Sequence, residues 1–489
     1  MDDAAASLAR PTDQVLTEIA RYVYRYEIKS PLAMERARTA LLDALGCAME
    51  TLSSGDCPSF IGPFVPGCKT QNGFRLPGTV FDLDPVKGAF DMAVLIRYLD
   101  HNDAFTGAEW GHPSDNIGSI LAVADWLSRN PAETSDTTPP PTIQTVLIAL
   151  VKAYEIQGCF QISNAFNSVG LDHVILVKVA SAAVISWLLG LSESQAVDAI
   201  SQAWMDGHPL RVYRHGQNTG PRKGWAGGDA CMRAVQLALL TRSGQPGALT
   251  VLSAPRWGFY DAIFGGKTFN LPRSFNTWVV ENTLFKLTPA EAHSLTAMEA
   301  MLKLGRILKE QAVDLHHDIG RITVRTHAAA CLIIDKSGPL KNAADRDHCM
   351  QYILAVTLLK GAQPDSHDFS DASPWASDPR VDYLREKIEI FECEQYTLDY
   401  LNEEKRSLAS ALTVVFANGS PTEEVAVEYP LGSPKHPGTK KAVEAKIHRN
   451  LGLIFSRGEV EHIVATVATK AKTTMVHDFV DILWRGNSS

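Results

Sequence analysis

The spacing of the apolar residues changes twice along the chain, and this change constrains the fold more than any other feature. Through the first half, apolar residues recur every three or four positions, which is typical of amphipathic and buried helices. Breaks fall at clusters of Pro, Gly and Ser. We predict helices over 15–28, 31–50, 86–100, 117–128, 143–158, 174–190, 194–205 and 227–243.

Two stretches of the second half alternate in the manner of strands. One is IGRITVRTHAA (319–329). The other, ALTVVFANGSPTEEVAVEYP (411–430), has two β-branched runs around an Asn-Gly pair, which predicts a hairpin. Helical patterns surround these strands, at 290–310, 345–360, 440–455, 457–471 and 475–484.

These patterns predict a mainly α chain with an α+β part. We expect a large all-helical domain built from both chain ends, residues 1–277 and 438–489. A smaller α+β lid domain, residues 278–437, would be inserted into it. Clefts between domains are common ligand sites, so the functional residues are expected where the two domains meet.

Composition and missing motifs disfavour several classes of protein. The formal net charge of −9 argues against a nucleic-acid partner, which needs a basic face. The eight cysteines form no CxxC pair, so no zinc or iron–sulfur site is predicted. No uninterrupted apolar stretch reaches about eighteen residues, and MDDAAASLARPTDQV (1–15) lacks the apolar centre of a signal peptide. We therefore expect a cytoplasmic protein with no membrane contact.

Nucleotide and serine-hydrolase signatures are also missing. FGGKTF (264–269) contains Gly-Lys-Thr, but Asp261 stands where a phosphate-binding loop needs Gly. The chain has no GxGxxG that opens a helix after a strand and no GxSxG elbow. A nucleotide-dependent enzyme or a serine hydrolase is therefore disfavoured.

The segment YLDHNDAFTGAEWGHPSDN (98–116) places acidic and imidazole side chains between two apolar runs: Asp100, His101, Asp103, His112 and Asp115. Three interpretations stay open. Ser114 or Asp115 would cap the following helix, which accounts for one residue of the set. A metal site would use Asp100, Asp103 and His112, although no HxxxH or HExxH spacing supports it. Acid/base catalysis would use His and buried Asp, whose pKa values can be tuned towards neutrality.

A second segment, LRVYRHGQNTGPRKGWAGGDACMRAV (210–235), concentrates positive charge in an acidic protein: Arg211, Arg214, His215, Arg222 and Lys223. A helix is predicted to start near Gly227–Asp229. Cations beside the free N–H groups of a helix N-terminus would bind an anion, and an Arg fork matches a carboxylate. The interleaved aromatic residues and glycines indicate backbone close to a ligand. We therefore favour an anion site over a solvated basic loop.

Three further positions carry open alternatives. His173 precedes an apolar helix. The sequence is equally compatible with a catalytic role for this histidine and with a role as a core or capping residue. Lys286 lies between apolar residues, where loss of solvent would make its amine reactive; the alternative is a lysine whose head reaches solvent. NAADRDHCMQY (342–352) puts Arg346, His348 and Tyr352 at the head of a helix, and Tyr352 would serve equally well as a core residue.

Six stretches together resemble the MmgE/PrpD family, in the family's order and over most of the chain: YLDHNDAFTGAEWGHPSDNIGSILAVADWLSRN, GLDHVILVKVAS, YRHGQNTGPRKGWAGGDA, WGFYDAIF, IIDKSGPLKNAADRDHC and YLREKI. The combination is far more specific than any single short motif. Two departures stand out. Ala104 replaces an expected Thr, and FKLTPAEAHS is one residue shorter than the family pattern. Both would reshape the pocket near the alkyl group of a substrate.

The resemblance implies removal of water from 2-methylcitrate or a longer 2-alkylcitrate, without metal or cofactor, by a homodimer. It implies active-site positions at Asp100, His112, His173, Lys223, Lys286 and Tyr352. The two histidines are candidates for proton transfer. We expect the tricarboxylate substrate to contact Asp103, Arg211, Arg214, Arg222 and His348.

Other activities stay open. The chain would alternatively be an alkylcitrate dehydratase dedicated to secondary metabolism. A decarboxylase of the cis-aconitate type would use the same pocket for a triacid and release CO2. A non-catalytic homologue that only binds tricarboxylates is the less favoured alternative.

Overall fold

The computed structural model of the chain describes residues 12–133, 139–205, 207–215 and 218–486. Residues 1–11, part of the segment that supports the prediction of localisation, lie outside the described residues. Helices occupy most of the first half, with the bounds α1 Gln14–Arg25, α2 Pro31–Ser53, α3 Pro85–Arg97, α4 Ile117–Arg129, α5 Ile143–Ser163, α6 Val174–Leu188, α7 Glu193–Met205 and α8 Arg222–Arg242. The helices predicted for this half are confirmed.

Local chemistry explains where the helices begin. The Ser30 hydroxyl accepts a hydrogen bond from the Ala33 N–H at 3.1 Å and so caps α2. The Asp84 carboxylate caps α3 in the same way, through two backbone N–H groups. Proline holds the first position of both helices, where its fixed φ suits a helix and its missing N–H costs nothing.

The second half adds shorter helices, with the bounds α9 Phe259–Ala262, α10 Trp278–Asn282, α11 Leu295–Glu310, α12 Ala328–Ile334, α13 Ala343–Arg346, α14 Met350–Lys360, α15 Ser366–Phe369, α16 Pro379–Glu386, α17 Glu394–Leu401, α18 Thr439–Leu451, α19 Arg457–Thr469 and α20 Val476–Leu483. The prediction of a single helix over 345–360 is wrong. It is broken at residues 347–349 into α13 and α14.

The strands are β1 Phe74–Arg75, β2 Asp82–Leu83, β3 Ile319–Thr326, β4 Ile388–Glu392, β5 Ser410–Phe416 and β6 Val425–Val427. The last four form one sheet in the order β4-β3-β5-β6, with β3 parallel to β4 and the other pairs antiparallel. The predicted strand at 319–329 and the predicted hairpin are confirmed. Gly419 supplies the positive φ of 87° that the hairpin turn requires.

The apolar side chains form two cores. The larger contains residues of α1–α8 together with residues of α18–α20. Helix α18 packs on α2, and α20 packs on α4. The second core contains residues of α11, α14 and α16 and of the four-stranded sheet. The chain is therefore mainly helical with a small β part. The domain division into 1–277 with 438–489 and 278–437 stays a prediction, which the two cores support.

Helix α8 begins at Arg222, earlier than predicted, and two of its glycines, Gly227 and Gly228, face protein instead of a ligand. A Cβ at Gly228 would lie 2.6 Å from Val94 Cγ2 in α3. A Cβ at Gly227 would lie 2.8 Å from the Asp115 carboxylate. The interpretation of these glycines as backbone close to a ligand is therefore wrong, because they allow α8 to pack closely on α3 and on the segment that follows it.

This close approach predicts the effect of a single added methyl group. We expect Gly228→Ala to lower the free energy of unfolding by about 1–3 kcal/mol, because a well-packed site must shift to accept it. Urea denaturation measures the change. Gly458→Ala in α19 is the matched control, because its Cβ would meet nothing within 4 Å. Equal stability of the Gly228→Ala and wild-type proteins would contradict the close packing.

One described helix, α5, is long and apolar enough to cross a membrane by length and composition alone. In the folded chain, 83% of its apolar window is buried inside the protein. Core helices of ordinary globular proteins share this property, so α5 is accounted for by its place in the larger core.

Candidate active site

The segment that follows α3 is buried and carries most of the predicted acid/base residues. Asp100, which lies three residues beyond the end of α3, has a φ of 54°. This left-handed conformation is uncommon outside glycine and persists where surrounding contacts hold it. Asp100 is 1% exposed and His112 is 7% exposed. The segment is therefore part of the interior and not a solvated loop.

Asp103 holds the two ends of this segment together. One carboxylate oxygen accepts hydrogen bonds from the Ser114 N–H at 3.1 Å and from its hydroxyl at 2.6 Å. The other accepts a hydrogen bond from the Tyr154 hydroxyl at 2.6 Å. Both oxygens are thus bound within the protein. These bonds hold the segment together, and the predicted contact of Asp103 with substrate stays a prediction.

The predicted cap of α4 by Ser114 or Asp115 is wrong. A 3-10 turn over Pro113–Asn116 leads directly into α4, and Asn116 at the N-cap position makes no side-chain cap bond. The Ser114 hydroxyl donates to Asp103, and the Asp115 carboxylate accepts from Asn102 at 3.0 Å. These polar groups connect parts of the segment to one another.

The Asp100 carboxylate is the centre of a buried group of charges. It accepts hydrogen bonds from the Lys286 ammonium at 2.7 Å and from the Arg97 guanidinium. His112 Nε2 lies 3.9 Å from one of its oxygens, and His348 Nδ1 lies 3.7 Å from the other. Burial alone would raise the pKa of Asp100, but the positive charges of Arg97 and Lys286 lower it well below its ordinary value. Asp100 is therefore a carboxylate at neutral pH.

A second buried charge group lies where α13 and α14 are separated. Lys223, in the first turn of α8, places its ammonium 2.6 Å from an Asp347 oxygen and 3.0 Å from His348 Nδ1. Burial lowers the pKa of Lys223, although Asp347 opposes this shift. Burial and the charge of Lys223 lower the pKa of His348 to about 4. The break in the predicted helix thus brings Asp347 and His348 to the Asp100 group.

His112 and His173 form a pair whose ring centroids lie 5.6 Å apart. His112 Nδ1 lies 2.6 Å from the Asp103 carbonyl oxygen. A carbonyl only accepts, so Nδ1 carries the proton and Nε2 keeps a free lone pair. Neither ring nitrogen of His173 has a hydrogen-bond partner among the described residues. Burial, together with Arg97 at His112 and Arg214 at His173, lowers both pKa values well below the ordinary one. Both rings are neutral at neutral pH.

Two arginines extend the site beyond His173. Arg214 forms a two-pronged ion pair with Asp172, in which Nη2 lies 3.2 Å from one oxygen. The Arg211 guanidinium lies over the Trp110 ring, 4.7 Å from its centroid, and 3.8 Å from Glu109. Nε and Nη1 of Arg211 have no hydrogen-bond partner among the described residues. Arg211 therefore has donors available for an anion.

The structure places most of the predicted site residues in one continuous line of contacts. In order these are Lys223, His348, Asp100 with Lys286, His112, His173 and, through Asp172, Arg214 with Arg211. Three predicted residues lie outside it: Asp103, whose carboxylate is bonded to Ser114 and Tyr154, and also Tyr352 and Arg222. The Tyr352 hydroxyl donates to the Asp368 carbonyl at 2.8 Å within the second core. Arg222 is half-exposed and stacks on Trp225, 4.0 Å from the ring centroid.

Three charged residues of the site were not predicted from the sequence: Arg97, Asp172 and Asp347. Each lies one to three positions from a residue that was predicted. Arg97 precedes Asp100 by three residues, Asp172 precedes His173, and Asp347 precedes His348. A charged residue inside or beside an apolar run needs a partner when it is buried. Its closeness in sequence to a predicted site residue was the feature that could have identified each of these three.

Asp100, Asp347 and His348 are a group that could hold a metal ion, because they offer ligand atoms within 4.8 Å of one another. However, the two carboxylates already have cationic partners. The Lys286 ammonium lies 2.7 Å from Asp100, and the Lys223 ammonium lies 2.6 Å from Asp347. A divalent cation would have to displace these charges. The donor set therefore fits a resident metal ion poorly.

Comparison with known proteins agrees with this geometry. Residues 17–272 match the MmgE/PrpD N-terminal domain, and residues 288–471 match the MmgE/PrpD C-terminal domain. The chain is 53% identical to the 2-methylcitrate dehydratase-like protein oryR of Aspergillus oryzae, over 96% of this chain and 95% of that protein.

Two further relatives cover nearly the whole chain. The alkylcitrate dehydratase phiI of a fungal species is 51% identical over 97% of this chain and 94% of its own length. The 2-methylcitrate dehydratase of Escherichia coli is 47% identical over 96% of this chain and 97% of its own length. With both domains matched and full-length relatives of this similarity, the chain belongs to the MmgE/PrpD family.

Proposed function

We propose that this chain is a hydro-lyase that removes water from 2-methylcitrate or a longer 2-alkylcitrate to give the 2-alkyl-cis-aconitate. The observation that carries the proposal is the pair of neutral, buried histidines between two groups of cations: His112, whose Nδ1 is bonded to the Asp103 carbonyl, and His173, whose ring nitrogens make no hydrogen bond among the described residues. The names of the full-length relatives support the same reaction class.

The charge of the site suits an anionic substrate with several carboxylates. Five buried cations meet three ionised carboxylates here: Arg97, Arg211, Arg214, Lys223 and Lys286 with Asp100, Asp172 and Asp347. Burial raises the pKa of Glu109 and Asp115 to about 7 and that of Asp103 to about 6, so these neighbouring carboxyls offset part of the positive charge at neutral pH. An anion that enters gains charge-assisted hydrogen bonds from these cations.

Dehydration begins with loss of a weakly acidic C–H proton beside a carboxylate, and this step needs a positioned base. We assign that role to His112, because its fixed tautomer presents the Nε2 lone pair. The imidazolium that forms is stabilised by the Asp100 carboxylate, 3.9 Å away. Arg211, whose Nη1 lies 3.5 Å from Asp172 and whose Nε makes no hydrogen bond among the described residues, stabilises the charge that builds on the substrate carboxylate.

The departing hydroxide takes a proton to leave as water. Lys223 is the proposed donor, because burial has lowered the pKa of its ammonium. Neutral His173 carries one ring N–H, and its ring centroid lies 5.6 Å from that of His112, which places it against the same substrate. The proton taken by His112 then returns to Lys223 and restores the resting state. Lys286 holds Asp100 in place, with its ammonium bonded to that carboxylate and to the Ala290 carbonyl.

The same proposal includes the cofactor requirement, the localisation, the oligomeric state and the partners of the enzyme. The enzyme would need no metal or other cofactor, which the ammonium partners of Asp100 and Asp347 support. It would act in the cytoplasm as a homodimer, with a small-molecule tricarboxylate as its ligand and no nucleic-acid or membrane partner.

The test is turnover by protein treated with EDTA, with 2-methylcitrate and 2-hexylcitrate as substrates. Absorbance reports the new conjugated double bond, and a separate assay reports CO2. We expect absorbance to rise without CO2 and without added metal. Release of CO2 from cis-aconitate would instead identify a decarboxylase. Recovery of activity only after a divalent metal is added would contradict the metal-free mechanism.

A further inference from the structure

A cleft leads from the protein surface to the charged site, and its walls are mostly apolar. Its inner end is formed by Lys223 and Asp347. Its walls include Tyr98, Leu99, Pro289, Ala343, Ala344 and Phe369. Apolar walls do not bind a tricarboxylate head, for which Lys223 at the inner end supplies a cation. They suit an uncharged, hydrocarbon part of a ligand.

The charges along this cleft determine which way an amphipathic ligand would lie. Lys223 marks the inner end, whereas Asp56 and the exposed Asp371 also line the cleft. Arg346 is paired with Asp371, so its guanidinium adds no free positive charge to the outer part of the cleft. A polyanion is therefore drawn inwards, and an apolar chain attached to it would extend outwards between the walls.

Small side chains leave space along this path. Ala343 begins α13, and Gly224 and Ala344 line the same cleft. Leu99 reaches the cleft because the chain turns at Asp100, where the backbone is left-handed and the carboxylate faces inwards. The residue before the catalytic carboxylate thus forms part of the apolar wall.

We propose that this cleft binds the alkyl chain of the substrate and selects 2-alkylcitrates with chains longer than methyl. The inference rests on the proposed dehydratase function and adds its substrate class. It assigns chain-length selection to the walls at Leu99, Pro289, Ala343 and Phe369.

Ala104, which the sequence suggested as a determinant of the alkyl pocket, lies elsewhere. Its backbone pairs with Leu284, and it lines a separate cleft with Phe105 and Trp278. The Thr that relatives were expected to carry at this position would therefore not contact a chain in the cleft at Lys223.

The first test measures binding of 2-methyl-, 2-butyl- and 2-hexylcitrate to the wild-type protein by calorimetry. Affinity is expected to rise by up to about fourfold for each methylene that the cleft buries. Equal affinity across the series would overturn the alkyl site. Rising affinity without formation of a double bond would support the site and overturn the proposed dehydration.

The second test narrows the cleft in steps, with Ala343→Val and Ala343→Leu. The ratio of kcat/KM for 2-hexylcitrate to that for 2-methylcitrate is expected to fall at least about tenfold with leucine, and less with valine. Ala262→Leu, at an exposed position in α9, is the matched control and should leave the ratio unchanged. Thermal unfolding checks that each variant is folded. An unchanged ratio in a folded Ala343→Leu variant would overturn the assignment.

Discussion

Replacement of His112 by glutamine is expected to lower kcat by roughly two to four orders of magnitude, the usual contribution of a positioned general base. Glutamine fills a similar volume, but its amide cannot accept and hold a proton. The Nδ1–H bond to the Asp103 carbonyl orients the wild-type ring, and the 3.9 Å separation from Asp100 stabilises its protonated form. Steady-state kinetics with the preferred 2-alkylcitrate measure the effect.

The same substitution at His173 should also reduce kcat strongly, because this ring lies 5.6 Å from His112 and its nitrogens make no hydrogen bond among the described residues. His462→Gln is the matched control, since His462 is exposed on α19. Circular dichroism and the midpoint of thermal unfolding should match wild type for all three variants. Near-normal turnover in both His112→Gln and His173→Gln would remove the histidines from the mechanism.

Asp100→Asn should produce the largest loss of stability of any substitution in the site. The change leaves the Arg97 guanidinium and the Lys286 ammonium buried without the carboxylate that they share. Removing one partner from a buried ion pair typically costs about 3–5 kcal/mol. We expect the free energy of unfolding to fall by that amount in urea denaturation at pH 7. Activity should fall as well, because the imidazolium of His112 loses its counter-charge.

The pH dependence of this loss follows from the pKa shift. Asp100 has a lower pKa in the folded chain than its unfolded value of about 3.9. Its contribution to stability is therefore fully present above the unfolded pKa and is lost as pH falls through the folded pKa. The stability difference between wild type and Asp100→Asn should thus be constant from pH 7 to about pH 5 and shrink in stronger acid.

Glu193→Gln provides the control for Asp100→Asn. Glu193 forms an exposed ion pair with Arg25 at 2.8 Å, and exposed pairs contribute about 0–1 kcal/mol. A cost for Asp100→Asn no greater than that for Glu193→Gln would show that the buried charges of the Asp100 group are not mutually dependent.

The helices and the hairpin could be predicted because their signals are local. Apolar spacing along ten to twenty residues identified α1–α7, and the Asn418-Gly419 pair identified the turn between β5 and β6. The bend that carries Asp100 and His112 was found for the same reason, because its charges are clustered in the sequence. Strand β4 was missed: only five residues long, it depends on its pairing with β3.

What could not be predicted depends on contacts between distant parts of the chain. The break between α13 and α14 has no Pro or Gly to signal it, and it places Asp347 and His348 against Lys223. Tyr352 matched a pattern, yet the fold directs its hydroxyl to the Asp368 carbonyl. The glycines of α8 suggested a ligand, whereas their neighbours are α3 and Asp115. In each case the partner lies outside any local window of sequence.

The contribution of α18–α20 to the larger core has a consequence for how the protein is made. Lys446 of α18 donates to the His101 carbonyl at 2.7 Å and pairs with Asp43 at 2.8 Å, so it supports the segment that carries Asp100. A ribosome delivers α18 only after the first 438 residues have emerged. Until then the nascent chain exposes the apolar face of α2 that α18 covers. The segment that carries Asp100 therefore stays without its Lys446 contact until α18 is made, and the unfinished chain is a natural client for chaperones.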